Sequence, residues 1–306
     1  MKRILSLLLV LALALTAMVA CGDSNEDTPS EKDYSLSIGT VVTSNLTNLK
    51  LTETVATIVT DADGKIVVCR LDCFDYSAKY NEGTLDTTFP TSKVTLGDSY
   101  GTMPAGTWAA QGAALEKYVV GKTQAEVAAT ALEGGVATDA DLKASCSIGI
   151  TDLLKAIDNA FKSEHKIAFK STVTDFKVGL AVAGTIKDSS KDESKNIKAT
   201  ADYAAAVLVD GKVAAAIIDT AEAELTGITE AGAAAISYKG TKREQGDAYG
   251  SMPAGTWYAQ ADAYAKAAVG KTAADIATLA SEGVAGCTIY AGGYKVVIET
   301  AVKTAR

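Results

Sequence analysis

One block of sequence occurs twice: Asp98-Ser-Tyr-Gly-Thr-Met-Pro-Ala-Gly-Thr-Trp108 and Asp247-Ala-Tyr-Gly-Ser-Met-Pro-Ala-Gly-Thr-Trp257. The match continues through Gln111 and Gln260 to a Val-Gly-Lys-Thr segment in each copy. Both tryptophans of the chain lie in these blocks, one in each copy. The period is much longer than that of a solenoid, so each copy is large enough to be a domain. The sequence therefore predicts two tandem homologous domains.

In each copy, segments rich in β-forming residues come first and helical patterns follow. Two apolar runs are joined by Asp210-Gly211 in the second copy and by Asp61-Ala-Asp-Gly64 in the first. An Asp-Gly pair in this position predicts a hairpin, because Gly takes the positive φ that the turn requires. Strands grouped before helices indicate an α+β fold. We expect domains at 33–166 and 167–306, each a small, mostly antiparallel sheet followed by about three helices.

The repeated block itself predicts a helix and the start of the next one. In the first copy, apolar or small residues recur at helical spacing from Trp108, so the helix should begin near Thr107. The Gly-Lys-Thr that follows lacks the second Gly of a phosphate-binding loop. Gly121 is instead predicted to end the helix in the left-handed conformation, and Thr123 with Glu126 forms a capping box for the next. The second copy repeats these features.

The first residues of the chain predict export from the cytoplasm. Residues 1–20 have a charged start and an apolar run up to Ala20, as in a secretory signal peptide. The apolar run ends directly at Cys21, which resembles the lipobox of bacterial lipoproteins and would make Cys21 the lipid-bearing residue. Residues 21–32 are polar and predict a flexible tether. We expect an extracytoplasmic protein anchored to the bacterial cell membrane, and ordinary secretion is the alternative.

The composition of the chain limits the classes of partner that it can bind. The net charge is −8 and no basic run is present, which argues against nucleic acid. Contact with an anionic membrane must then come from the lipid. Four further cysteines are too scattered for a disulfide scaffold. Cys69 and Cys73 would be roughly 13 Å apart on a strand, beyond disulfide reach, so we expect buried free thiols.

Candidate catalytic residues are few. His165 is the one histidine of the chain, and a Ser-His-Asp or Cys-His mechanism would depend on it. We expect it to be a surface residue. No cluster of His, Cys, Asp and Glu has the spacing of a zinc site. The sequence identifies neither catalytic residues nor a metal site, and it favours a protein that is not an enzyme.

The aromatic residues of the repeated block are better candidates for binding. Tyr100 and Tyr249 precede Gly-x-Met-Pro, and Trp108 and Trp257 follow it. A Tyr and a Trp around such a loop could stack on a flat ligand. They could equally fix the loop to the sheet from within the core. We favour the second interpretation, because each Trp begins the apolar face of its helix.

A family resemblance adds a cofactor hypothesis. The hairpin around Val209-Asp-Gly-Lys-Val213, a later small-residue segment and a closing Ala/Val-rich helix are similar to the FMN-binding domain of bacterial surface lipoproteins and respiratory electron-transfer subunits. In that family, Asp-x-x-Ser-Gly-Ala-Thr presents a Thr that is esterified to the FMN phosphate. Asp141-Leu-Lys-Ala-Ser-Cys-Ser147 and Glu282-Gly-Val-Ala-Gly-Cys-Thr288 stand at the corresponding places.

The resemblance implies which residues would hold the cofactor. Asp141, Gly286 and Thr288 match the motif, and Ser147 matches in kind. If either copy carries FMN, we expect it on Thr288 rather than on Ser147, because Gly286 keeps the flexible position of the motif.

Three hypotheses of function follow. The first is a lipid-anchored protein whose two FMN-binding-like domains bind a small ligand without catalysis. The second is an electron carrier at the cell surface, with covalent FMN and a redox partner. The third is a structural or adhesive surface protein.

Overall fold

The structure is a computed structural model. It describes residues 30–88, 90–173, 175–191, 193–280 and 283–306. The predicted signal peptide, Cys21 and most of the tether lie outside the described residues. Lys32–Arg306 forms one compact unit. In the described ranges, no helix is long and apolar enough to cross a membrane.

In both repeats the long strands come before the longer helices. The strands are β1 (Lys32–Asn45), β2 (Lys50–Asp61), β3 (Ile66–Asn81), β4 (Thr84–Thr88), β5 (Thr102–Met103), β6 (Gly106–Thr107), β7 (Leu132–Glu133), β8 (Val136–Ala137), β9 (Ile167–Ser171), β10 (Lys177–Asp188), β11 (Ile197–Val209), β12 (Lys212–Thr226), β13 (Ala235–Tyr238), β14 (Ser251–Met252) and β15 (Gly255–Thr256). The α-helices are α1 (Lys93–Leu96), α2 (Trp108–Val119), α3 (Gln124–Ala128), α4 (Ala140–Ser145), α5 (Thr151–Lys162), α6 (Lys242–Gln245), α7 (Trp257–Ala267), α8 (Ala273–Ala277) and α9 (Gly292–Thr304).

Two antiparallel sheets form the centre of the molecule. The first has the strand order β4-β3-β2-β1-β9, and the second has the order β10-β11-β12-β13. The predicted α+β fold with antiparallel sheets is confirmed. Strand β9 begins at Ile167, where the second domain was expected to begin, yet Ile167 pairs with Leu36 of β1 in the first sheet.

Each sheet is buried on both faces. In β11, Ala205 and Val207 face the first sheet, whereas Ala204 and Ala206 face the helices of the second repeat. Successive side chains of a strand point to opposite faces. The sequence of a strand that is covered on both faces is therefore a nearly continuous apolar run, as in residues 203–209 of β11.

The layers are helix, sheet, sheet, helix. Helices α2 and α5 cover the outer face of the first sheet, and α7 and α9 cover that of the second. The core between the sheets contains residues of both repeats, among them Leu36, Val55, Tyr76, Val178, Tyr203 and Ile217. The predicted arrangement of two tandem domains is not confirmed, because one of the three core clusters contains residues of both repeats, whereas each of the other two lies within one repeat. Each sheet has a second apolar face, and the sister sheet covers it.

Two glycines allow the closing helices to approach the sheets. A Cβ at Gly39 of β1 would overlap the backbone of Ala160 in α5. A Cβ at Gly179 of β10 would overlap the backbone of Ala301 in α9. Since neither backbone can move without its helix, these positions require glycine.

The helix boundaries in the repeated block are confirmed. The Thr107 side chain accepts a hydrogen bond from the backbone N–H of Ala110 and so caps α2. Gly121 follows α2 with φ of 82°. Thr123 and Glu126 form the reciprocal capping box at the start of α3. The second repeat has the same caps, so these local signals position the loops that carry the candidate site.

Candidate functional site

A buried glutamine holds the segment that contains Ser147. Gln111 is 0% exposed, and its Oε1 accepts hydrogen bonds from the Ser147 backbone N–H at 2.7 Å and from the Ser147 hydroxyl at 3.1 Å. Its Nε2 donates to the carbonyl of Gly106 at 2.8 Å. The glutamine therefore connects the hairpin of β5 and β6 to the segment that contains Ser147.

The second repeat has the same clamp. Gln260 Oε1 accepts from the Thr288 backbone N–H at 2.7 Å and from the Thr288 hydroxyl at 2.8 Å. Its Nε2 donates to the carbonyl of Gly255 at 3.0 Å. Thr288 is exposed, and the exposed Gly286 takes φ of 78°. The sequence analysis missed this role, although these glutamines are polar residues that recur on an apolar helix face in both blocks.

Asp141 lies apart from this clamp. It is an exposed residue of α4, whose N-cap is Asp139. Asp139 accepts a hydrogen bond from the backbone N–H of Leu142 at 3.0 Å. The structure therefore places Ser147 and Thr288 on glutamine clamps, and it places Asp141 on the exposed surface of a short helix.

Both tryptophans are core residues. Trp108 is 5% exposed and Trp257 is 2% exposed. The Trp257 ring meets the rings of Tyr249 and Tyr294 edge to face, with centroids 6.4 Å and 5.8 Å away. Both tryptophans are thus buried, as the preferred interpretation expects, and their role as anchors stays a prediction.

A lysine lies against the aromatic pair in each repeat. Lys93 Nζ is 4.8 Å from the centroid of the Tyr100 ring and 5.7 Å from that of Trp108. Lys242 Nζ is 4.9 Å from the Tyr249 ring and 5.4 Å from a Trp257 ring. A cation at this distance is attracted by the electron-rich face of the ring. Each tryptophan therefore contacts a lysine of its own repeat.

Strand carboxylates hold these lysines. In the second repeat, Glu222 pairs with Lys198 at 2.7 Å and with Lys242 at 3.4 Å. Burial opposes ionisation of Glu222, but the two lysines outweigh it and lower the pKa of this carboxyl. Burial likewise opposes the charge on Lys242, but Tyr294, Tyr249 and Glu222 raise its pKa. Glu222 and Lys242 are therefore both charged at neutral pH.

The first repeat has an equivalent ion-pair cluster. Asp75 pairs with Lys50 at 3.1 Å and with Lys93 at 3.4 Å. It also accepts hydrogen bonds from the hydroxyl of Thr52 at 3.0 Å and of Tyr100 at 3.4 Å. The lysine, tyrosine, tryptophan and carboxylate thus form one duplicated unit.

A cleft opens beside this unit in the second repeat. It has a volume of about 320 Å³, and its lining includes Lys198, Glu222, Glu224, Ser237, Lys239 and Tyr249. Charges of both signs and one half-buried tyrosine ring therefore line the same space. Chemically, such a lining can hold a polar ligand that carries both an acidic and a basic group. We call it the Tyr249 cleft.

The other residues singled out from the sequence are His165 and the cysteines. His165, which was expected at the surface, is half-buried, and its ring lies 4.9 Å from that of Tyr258. Cys69 and Cys73 are buried free thiols, as expected. In the part of the chain that the structure describes, no group of three or more His, Cys, Asp or Glu side chains is placed to hold a metal ion.

Comparison with protein-family profiles, with curated proteins and with solved structures finds no match to this chain. The similarity to the FMN-binding domain therefore rests on the sequence features given above, and it stays a prediction.

Proposed function

We propose that this chain is an extracytoplasmic, lipid-anchored protein whose two FMN-binding-like repeats bind a small ligand without catalysing a reaction. The observation that carries the proposal is the Tyr249 cleft. Its volume of about 320 Å³ falls at the lower end of the range of small-molecule sites, roughly 300–1,000 Å³. That size suits a ligand no larger than an amino acid or a monosaccharide.

The charges of the cleft favour a zwitterionic ligand. Glu222 is already neutralised by two lysines, and Glu224 accepts a hydrogen bond from the Ser189 hydroxyl at 2.6 Å. Lys239 and the Tyr249 ring also line the cleft. A ligand with one carboxylate and one ammonium group can pair with both signs of charge without leaving either one unpaired.

Thermal unfolding tests this function. Anything that binds only the folded protein raises its Tm, so at least one amino acid from a panel of zwitterionic amino acids should stabilise the protein. Tyr249→Ala should abolish that stabilisation. Tyr100→Ala, at the equivalent position of the first repeat, should retain it and serves as the matched control. If no amino acid raises Tm, or if both variants respond alike, the cleft does not bind this class of ligand.

The position of Thr288 favours a second candidate function, electron transfer by covalent FMN. Thr288 is exposed and is held by Gln260 through its backbone N–H as well as its hydroxyl. Esterification would remove the hydroxyl hydrogen bond and leave the backbone one. Ser147 is less accessible than Thr288, so we expect attachment at Thr288.

Co-expression with a flavin transferase, followed by peptide mass mapping, tests this alternative. The peptide that contains Thr288 should gain the mass of FMN, and Thr288→Ala should lose it. A Thr288 peptide of unchanged mass, from a preparation in which a positive-control domain is fully modified, would rule out covalent flavin on this residue.

A further inference from the structure

A second cleft lies between the two repeats, and no expectation from the sequence concerns it. Its volume is about 370 Å³. The first repeat contributes residues of β1 and of the end of α5, and the second contributes residues of β12 and α6. The lining includes Thr40, Asn159, His165, Asp219, Thr241 and Arg243. We call it the inter-repeat cleft.

Arg243 is a buried cation with one unused donor nitrogen. It is 3% exposed. Its Nε donates to the carbonyl of Ile218 at 2.6 Å, and its Nη2 donates to Asp262 at 2.6 Å. Its Nη1 has no hydrogen-bond partner among the described residues. Leaving a buried guanidinium donor without a partner is costly. Because Arg243 lines the cleft, an acceptor brought there by a ligand would offset this cost.

A hydroxyl from the other repeat lines the same cleft. Thr40 Oγ1 is also buried and has no partner of normal hydrogen-bond geometry among the described residues, although it is near enough to the Tyr238 hydroxyl to interact with it. Most buried polar groups in proteins are paired. An unpaired guanidinium nitrogen from one repeat and a hydroxyl with only a poorly aligned partner from the other line one cleft. They indicate that the cleft takes a ligand with hydrogen-bond acceptors.

Two of the carboxylates that line the cleft already accept hydrogen bonds from the backbone. Asp219 Oδ1 accepts from the backbone N–H of Thr220 at 2.7 Å and of Arg243 at 3.2 Å. Burial raises the pKa of Asp219 to about 6, against the opposing effect of Arg243. Glu244 accepts from the backbone N–H of Thr241 at 2.8 Å. These carboxylates therefore do not satisfy Arg243 Nη1.

The same carboxylates limit the charge of the ligand. Arg243 already pairs with Asp262, and Asp219, Glu164 and Glu244 all line the cleft. A dianionic phosphate would face this negative charge with one unpaired guanidinium nitrogen to bind it, since Lys162 of the lining is already paired with Asp158. A carboxylate carries a single charge and has the planar acceptor geometry that suits a guanidinium group.

We propose that the inter-repeat cleft binds a small organic monocarboxylate, whose oxygens accept hydrogen bonds from Arg243 Nη1 and from the Thr40 hydroxyl. The ligand touches residues of both repeats and so stabilises their packing. The first repeat has no counterpart of this site, because Val94 stands at the position equivalent to Arg243. The site therefore has no symmetry-related copy in the molecule.

Calorimetric titration of the full chain tests the proposal with four probes: acetate, pyruvate, benzoate and inorganic phosphate. At least one carboxylate should bind with a stoichiometry of one. Thr40→Val keeps the shape of the side chain and removes its hydroxyl, and Arg243→Lys keeps the charge and removes Nη1. Each should weaken binding by about tenfold, which corresponds to the loss of one hydrogen bond.

The controls separate this site from the Tyr249 cleft. Tyr249→Ala should leave carboxylate binding unchanged, whereas it should abolish the stabilisation by a zwitterion. Far-ultraviolet circular dichroism should show that Thr40→Val is folded, so that this variant decides the matter if Arg243→Lys is not. Tight binding of phosphate alone would overturn the proposal. So would carboxylate binding that Thr40→Val and Arg243→Lys leave intact, or the absence of binding by every carboxylate probe.

Discussion

Replacing Glu53 by glutamine should remove a pH dependence of stability that arises in the core between the sheets. Glu53 is 4% exposed. It accepts hydrogen bonds from the hydroxyl of Tyr203 at 2.6 Å and of Tyr76 at 3.4 Å. Burial raises the pKa of Glu53 to about 8, although these two hydrogen bonds oppose the shift. The Glu53 carboxyl is therefore mostly protonated at neutral pH in the folded protein.

The sign of the effect follows from the two states. Below pH 4.5, the usual pKa of the side chain, folded and unfolded chains both hold the proton. Between pH 4.5 and 8, the unfolded chain releases it while the folded chain retains it. The free energy of unfolding therefore falls as pH rises, by about 1.4 kcal/mol per pH unit. The stabilisation is complete at low pH and is lost as pH rises through 8.

Other buried carboxyls restrict the useful window. Burial raises the pKa of Asp72 and of Asp219 to about 6, so they add slopes of the same sign below that pH. Between pH 6 and 7.5, Glu53 should dominate, and the free energy of unfolding should fall by about 2 kcal/mol.

Urea unfolding at several pH values between 6 and 7.5 measures this slope. Glu53→Gln keeps an acceptor for the tyrosine hydroxyls but does not titrate, so its stability should be nearly constant over the window. Glu133→Gln, at an exposed position, should keep the slope of the unmodified protein. Equal slopes in the unmodified protein and in Glu53→Gln would refute the reasoning.

Three further predictions concern the anchor and the packing. Cys21→Ala should release the protein into the medium, because the acyl chains of this residue are the expected anchor; retention in the membrane fraction would contradict this. Gly39→Ala should destabilise by at least about 2–3 kcal/mol, because its Cβ would overlap the backbone of α5. Gly149→Ala, where the nearest atom would be 4.0 Å away, is the control in denaturant titrations and should change little. Trp257→Ala should lower the free energy of unfolding by about 3–5 kcal/mol. A decrease of only a few tenths of a kcal/mol, measured by calorimetry, would show that the ring is not a core anchor.

Local signals predicted local structure well. The caps at Thr107 and Thr123, the left-handed Gly121 and the hairpin at Asp210-Gly211 depend on neighbouring residues only. The packing of the two sheets does not depend on such signals. From Tyr203 to Val209, the residues on both faces of β11 are apolar. The periodicity of the sequence therefore does not show that one of these faces packs against the other sheet.

The residues of the candidate site could likewise be predicted only where their role depends on neighbouring residues in the sequence. Burial of Trp257 follows from its place on an apolar helix face. Gln260 was visible as a repeated residue, but its partner at Thr288 comes from a segment 28 positions away. Arg243 is a difference between the repeats rather than a shared feature, so a comparison of the two blocks does not select it.

The shared core makes the chain a covalent pseudo-dimer. Each repeat presents an apolar sheet face, so a polypeptide of one repeat would expose it or associate with a second copy. Because the two repeats belong to one polypeptide, their association is intramolecular. Each repeat meets the other at an effective concentration on the order of millimolar. The two faces are no longer interchangeable, because Glu53 belongs to one and its partner Tyr203 to the other. Two first repeats would bring together two buried carboxyls without that partner, which disfavours exchange of repeats between neighbouring molecules.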